Sequence, residues 1–122
     1  MTEGHRGLKV WQDGMKLAEE IYRVTARFPR DEIYGLVSQM RRAAVSIPSN
    51  LAEGYGRGGN DYARFVGMGY GLLLELETQL ELAKRLAFLS EDDASQLSQL
   101  TSELGRMLNG LRRSVRKTQP EP

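Results

Sequence analysis

The amino-acid sequence predicts an all-α protein, a bundle of four helices, and three observations favour this fold class. Apolar residues recur at spacings of three and four in four segments of the chain, which is typical of helices that bury one face. Short stretches with proline, glycine or serine separate these segments. At 122 residues the chain is expected to form one domain, large enough to bury a core without disulfides.

The first predicted helix extends from about Lys9 to Arg27, and Pro29 ends it. It carries two adjoining apolar seams, which indicates burial against more than one neighbour. One seam is Trp11, Met15, Ala18, Tyr22 and Thr25, and the other is Leu17, Ile21, Val24 and Phe28. Residues 1–8 are predicted to be a flexible leader, in which the lone His5 is expected to be solvated rather than a metal ligand.

The second predicted helix opens at Tyr34 and Gly35, with Asp31 as its expected cap, and contains the central stretch of the chain, residues 38–57. Its apolar stripe is Leu36, Met40, Ala43, Ile47 and Leu51. Pro48 lacks the N–H that would bond the carbonyl of Ala44, so we expect a kink. The helix should continue through the kink, because the stripe resumes in phase at Leu51. Ser46, Ser49 and Asn50 are expected to bond backbone groups near the proline, and the glycines of residues 54–59 to end the helix.

The third helix is predicted from Asn60 or Asp61 to about Leu86, and the fourth begins at Ser90, which can cap it. Their heptad-like seams are Tyr62, Val66, Gly69, Leu73, Leu76, Leu80, Ala83 and Ala87, and then Leu97, Leu100, Leu104, Met107, Leu111 and Val115. Each glycine inside a helix costs about 1 kcal/mol relative to alanine. The glycines at 67, 69 and 71 therefore predict the close approach of another helix. The bundle domain is residues 9–117, and residues 118–122 are expected to be a disordered tail.

Composition argues against an enzyme and gives no reason to expect a metal or cofactor. There is no cysteine and one histidine, so thiolate chemistry and a carboxylate–histidine di-metal centre at Glu75, Glu77 and Glu81 are disfavoured. No apolar run approaches the roughly 20 residues that span a bilayer, and the start of the chain has no signal-peptide core. A cytoplasmic protein without membrane contact is the expectation.

Candidate binding residues are basic, although the formal net charge is only +1. Arg41 and Arg42, with Asn50 and Glu53, could hold an anion or partner, or could instead cap, pair with one another or cross a subunit interface. Arg57 lies in a glycine-rich run that lacks the context of a phosphate loop, where a connecting role is favoured, although Tyr55 and Arg57 could stack on a base. The end of the fourth helix carries Arg112, Arg113, Arg116 and Lys117, which suit the helix dipole or an acidic or nucleic-acid partner.

The central stretch resembles the signature of a known family, in the run QMRRAAVSIPSNLAEGYGR. Further segments fit the same family in the same order, and together they cover about Leu8 to Val115. They are LKVWQDGMKLAEEIY, RFPRDEIYGL, ELETQLELAKRLAFLS and GRMLNGLRRSV. The family is that of small bacterial four-helix-bundle proteins, named for the intervening sequences of 23S ribosomal RNA genes that encode them. The segment GMGYG, residues 67–71, departs from the alanine and serine typical of the family there.

The resemblance implies an antiparallel up-down-up-down topology and assembly into a ring, typically a homopentamer. One branch of the family, the accessory proteins of diversity-generating retroelements, binds nucleic acid and contacts a reverse transcriptase. Within the signature, the structural residues would be Pro48, Asn50, Glu53 and Gly54. We therefore expect a non-enzymatic oligomeric scaffold that binds RNA, DNA or a nucleoprotein partner. The alternative is a protein-interaction module with no nucleic-acid role.

Overall fold

The computed structural model describes residues 4–117, and in that range the chain is helical with no strand. The four α-helices are α1 (Lys9–Thr25), α2 (Ser38–Arg57), α3 (Gly59–Arg85) and α4 (Glu91–Lys117). Short 3-10 helices cover Gly4–Gly7 and Arg30–Glu32, and the segment Ile33–Val37 is helical with a kink at Gly35. The predicted all-α four-helix fold is confirmed. The proposed limits of the leader and the tail stay predictions, and the tail lies outside the described residues.

Each helix packs against two neighbours, with α1 and α3 both contacting α2 and α4. As the residue number rises along one helix, the number of the residue that it contacts on the neighbouring helix falls. Arg41, early in α2, bonds the hydroxyl of Thr25 at the end of α1. Gly14, early in α1, faces Pro48 in the second half of α2. The other neighbouring pairs show the same reversal, as an antiparallel arrangement requires.

The core is built from one apolar face of every helix. Its fully buried side chains include Leu17, Ile21, Met40, Ile47, Leu51, Leu73, Leu76, Leu97, Leu104 and Leu108. On α1 only the second predicted seam is buried throughout. The first seam is open at Met15 and Tyr22, which are each more than 40% exposed. The expectation that both seams are buried is therefore wrong for the single chain.

Helix α2 runs without interruption through Pro48, as predicted. Flanking polar side chains do bond backbone carbonyls. The hydroxyl of Ser49 donates to the carbonyl of Val45 at 2.8 Å, and the amide of Asn50 donates to the carbonyl of Ser46 at 2.7 Å. Val45 and Ser46 directly follow Ala44, the residue whose carbonyl Pro48 cannot bond. The bend itself stays a prediction.

The capping predictions had mixed outcomes. Ser90 accepts a hydrogen bond from the backbone N–H of Asp93 at 3.1 Å, so it caps α4 as expected. At the start of the second helical region Glu32, rather than Asp31, accepts from the N–H of Leu36 at 3.2 Å. The longer glutamate side chain reaches across the kinked turn that opens this region. No side chain caps α3, because Gly58 precedes it directly.

The predicted glycine-rich loop at residues 54–59 is wrong, because most of this run is helical. Helix α2 continues to Arg57 and α3 begins at Gly59, so Gly58 alone connects them, with a φ of 73° that favours glycine. Gly54 is buried inside α2, where a Cβ would lie 2.5 Å from the Cβ of Phe65. Gly54 therefore permits close packing of α2 on α3, rather than chain reversal.

The glycines of α3 only partly fit the expected close approach. A Cβ on Gly69 would contact Leu51 and the carbonyl of Ile47 on α2 at about 4 Å. Positions 67 and 71 have open space around them within the single chain. Contacts inside one subunit therefore do not offset the free-energy cost of glycine at these two helical positions.

Candidate functional site

The predicted binding residues do not form one patch, because they divide between the two ends of the bundle. Arg41 and Arg42 lie at the α1–α2 turn end, where α1 stops and α2 begins. Arg57 lies at the opposite, α2–α3 turn end, about 22 Å further along α2. Arg112 and Arg113 lie toward that same end, since Arg112 sits over the ring of Tyr70 in α3. Arg116 and Lys117 form the last helical turn of α4, and their side chains fall outside the described part of the chain.

Arg57 is occupied by carboxylates of its own subunit. Its guanidinium contacts Glu53 at 3.0 Å and Asp61 at 3.5 Å. The hydrogen bond that Arg57 donates to the Glu53 carboxylate, followed by the charge of Glu53, raises the pKa of Arg57 above its ordinary value. Glu53 therefore pairs with Arg57. The predicted polar cluster of Glu53 with Arg41, Arg42 and Asn50 does not form.

Tyr55, the other candidate of the glycine-rich run, packs edge-on against Tyr62 with ring centroids 5.6 Å apart. Burial, and then the neighbouring Tyr55, raises the pKa of Tyr62. This geometry gives both rings a structural role in joining the end of α2 to the start of α3.

The second half of α4 presents a surface that we call the α4 basic face, formed by Arg106, Arg112 and Arg113. Arg106 and Arg113 are exposed and seven residues apart, which places them on one side of the helix. Neither makes an ion pair within residues 4–117, and no acidic residue follows Glu103 on this helix. Arg112 is partly buried over Tyr70 at 5.0 Å, and its N–H donates to the side-chain carbonyl of Asn109. Sequence analysis omitted Arg106 from the site, although its seven-residue spacing from Arg113 could have identified it.

A second surface, which we call the α1–α2 groove, lies between the end of α1 and the start of α2 and has a volume of about 820 Å³. Three arginines and several apolar side chains line it, and no aspartate or glutamate is among the lining residues. The lining consists of Tyr22, Thr25, Ala26, Phe28, Arg30, Ile33, Tyr34, Val37, Ser38, Arg41, Arg42, Val45 and Ser46. Arg30, Ile33 and Tyr34 were not among the residues predicted to bind a partner.

Arg41 is held in the groove by neutral groups. Its Nε donates to the hydroxyl of Thr25 at 2.9 Å, and a terminal nitrogen donates to the carbonyl of Tyr22 at 3.3 Å. The guanidinium also lies 4.4 Å from the centre of the Tyr22 ring. These contacts fix the position of the charge, and no carboxylate of the described residues pairs with it.

The described residues contain no group of histidine, cysteine, aspartate and glutamate side chains able to hold a metal ion. His5 packs edge-on against Trp11, with ring centroids 5.1 Å apart. Among residues 4–117, no helix is long and apolar enough to cross a membrane.

The fold and these surfaces define a class of protein, a small four-helix bundle with arginine-bearing outer surfaces. Residues 6–110 match the family described as 23S rRNA-intervening sequence protein, which spans more than half of the chain. The chain belongs to this family, so the resemblance drawn from the central stretch is confirmed. Membership of the retroelement branch stays a prediction. A search of curated proteins found no match.

Proposed function

We propose that the protein is a non-enzymatic, oligomeric scaffold that acts in the cytoplasm and binds nucleic acid through the α4 basic face. The observation that carries the proposal is the pair Arg106 and Arg113, exposed on one side of α4 without a carboxylate partner in the described range. Arginines in this state can contact phosphates without first breaking an ion pair. Arg116 and Lys117 follow on the same helix and would extend the basic segment.

Assembly is part of the proposal, because one chain has a net charge of only +1 and carries a single copy of the α4 basic face. A ring would repeat the α4 basic face once per subunit, so that a single nucleic-acid strand meets several copies. The homopentamer typical of the family is the ring that we propose.

Exposed apolar side chains support assembly. Met15 on α1 is more than 40% exposed, as are Met68 and Leu82, which are two heptads apart on α3. Since α1 and α3 both pack on α2 and α4, they occupy opposite corners of the bundle. Apolar side chains on opposite corners suit head-to-tail contacts, which close into a ring when the rotation permits. The open space beside Gly67 and Gly71 would let a helix of a neighbouring copy approach α3 closely.

The nucleic-acid proposal is tested by fluorescence anisotropy with labelled single-stranded RNA and DNA, at about 50 and 200 mM salt. We expect the affinity of the wild type to fall by about tenfold or more between these two salt concentrations, because contacts with phosphates release counterions and binding therefore weakens as salt rises. The variant Arg106→Glu/Arg113→Glu should bind at least about tenfold more weakly at the lower salt.

The matched control is Lys16→Glu/Lys84→Glu, which changes the net charge equally at exposed lysines that form no ion pair in the described structure. The affinity of this variant for the nucleic acid should stay closer to that of the wild type. Equal losses in both variants would mean that net charge alone governs binding, and the α4 basic face would then have no special role. Absence of binding by the intact assembly at low salt would refute the proposal.

The second candidate function is a protein-interaction module with no nucleic-acid role. It is favoured by the exposed apolar side chains of the α1–α2 groove, which are not typical of a nucleic-acid surface. A protein partner captured by the tagged chain, whose binding survives nuclease treatment, would favour this candidate. A reverse transcriptase is the partner that the retroelement branch of the family would supply.

A further inference from the structure

We infer that the α1–α2 groove docks an acidic, amphipathic segment of a partner protein. Apolar side chains of that segment would occupy the floor of the groove, and its carboxylates would pair with Arg30, Arg41 and Arg42. This surface is separate from the α4 basic face, and the inference therefore goes beyond the proposed binding of nucleic acid.

Charge is the first argument. The groove carries three arginines and no acidic residue in its lining, so it presents a concentrated positive charge on a nearly neutral protein. Arg30 and Arg42 are exposed and form no ion pair in the part of the chain that the structure describes. The acids that adjoin the groove in sequence, Asp31 and Glu32, both lie outside its lining, and Glu32 accepts a hydrogen bond from the backbone N–H of Leu36. Carboxylates carry the charge that is complementary to these arginines.

Preorganisation is the second argument. Arg41 is fixed by two hydrogen bonds to neutral acceptors and by the Tyr22 ring, as described above. It is only partly exposed, so water screens its charge less than that of a surface arginine. A carboxylate arriving here would find a planar guanidinium already in position, which lowers the entropy lost on binding.

The apolar floor is the third argument, and it favours a peptide over a nucleic acid. Tyr34 is 97% exposed, and Tyr22, Ile33 and Val45 are each about half exposed. Tyrosine and arginine are the side chains that most often dominate protein–protein binding energy. Nucleic-acid surfaces are more polar than this lining, with its aliphatic residues Ile33, Val37 and Val45.

The backbone is irregular where the apolar side chains of the groove are most exposed. Ile33 and Tyr34 begin the segment Ile33–Val37, in which Gly35 has a non-helical φ of −110° and ψ of −110°, so two helical segments meet there at a kink. The segment carries two of the most exposed apolar side chains of the groove.

The test is a phage-displayed library of random peptides selected against the wild-type protein at physiological salt. We expect enriched sequences that place acidic residues beside an aromatic or aliphatic anchor. A synthetic peptide of the dominant sequence should lose about tenfold or more in affinity for Arg42→Glu and for Tyr34→Ala. Replacing its acidic residues with the corresponding amides should weaken binding to the wild type similarly. Both substituted side chains are exposed, so circular dichroism should show unchanged folding.

The matched control is Arg27→Glu, which makes the same charge change at an exposed neighbour outside the lining. It should bind the peptide nearly as well as the wild type does. The inference is overturned if no acidic sequence is enriched, or if Arg27→Glu and Arg42→Glu weaken binding equally.

Two further outcomes would assign the groove to a different occupant and overturn the inference as well. Loss of labelled single-stranded RNA binding in Arg42→Glu, but not in Arg113→Glu, would make the groove a nucleic-acid site. A drop in the mass of the assembly in Tyr34→Ala, measured by light scattering, would show that a second copy of the chain fills it.

Discussion

Replacing Met68 and Leu82 with aspartate is expected to convert the proposed assembly into single chains of 13.7 kDa. In one subunit these side chains are 46% and 47% exposed, so an aspartate at either position costs the isolated fold little. Between copies the same carboxylates would be buried without a partner, which costs several kcal/mol by the usual penalty for burying a charge. Multi-angle light scattering measures the mass, and circular dichroism reports whether the single chain stays helical.

The control for this variant is Ser95→Asp/Gln99→Asp, which introduces the same charges at exposed polar positions of α4. Its assembly should have the wild-type mass. If the Met68→Asp/Leu82→Asp protein keeps the wild-type mass, α3 is not the interface. If the wild type itself has the mass of one chain, the ring is wrong, and the α4 basic face would have to act without repetition.

The second prediction concerns the closest packing inside the bundle. Gly54→Ala is expected to lower the free energy of unfolding by up to about 2 kcal/mol. A Cβ at this position would lie 2.5 Å from the Cβ of Phe65, so α2 and α3 would have to move apart beside their one-residue connection. The strain of overpacking, about 1–3 kcal/mol, should exceed the gain of about 1 kcal/mol that alanine brings to a helix interior.

Gly56→Ala is the matched control for Gly54→Ala. Gly56 lies two residues further along α2, where a Cβ would meet nothing within 4 Å. The same substitution should therefore raise stability, by up to about 1 kcal/mol. Urea denaturation of the two variants measures the difference. Equal effects of one sign would contradict the assignment of Gly54 as a packing glycine.

The helices could be predicted because their signal is local. The spacing of Leu17, Ile21 and Val24 places them on one apolar face of a helix, whichever helix packs against it. All three are buried in the structure. Ser90 could likewise be assigned as a cap, because a cap bonds a backbone group only three residues away.

The errors came from residues whose role depends on distant parts of the chain. A glycine near the end of a helical pattern usually marks the end of the helix, and this rule led to the false loop at Gly54. Its actual reason is Phe65 on the next helix, and no local pattern reveals that contact. The exposure of Met15 has a similar cause, because periodicity shows that a face is apolar but not whether its partner belongs to the same chain.

The candidate site was predictable in part. Arg113 was identified from charge alone, and spacing could have added Arg106. Charge alone could not show that Arg57 is neutralised by Glu53 and Asp61, since that requires coordinates. The α1–α2 groove was not predictable, because it depends on how the end of α1 and the start of α2 pack together, which local sequence patterns do not show.

The salt dependence of RNA affinity is the measurement that tests the central claim most directly. The logarithm of the binding constant is plotted against the logarithm of the salt concentration, for the wild type and for Arg113→Gln. We predict a steep negative slope for the wild type, and a slope shallower by about 1 for each engaged subunit that loses this arginine. A wild-type slope near zero, or equal slopes for the two proteins, would contradict a scaffold that holds nucleic acid on the α4 basic face.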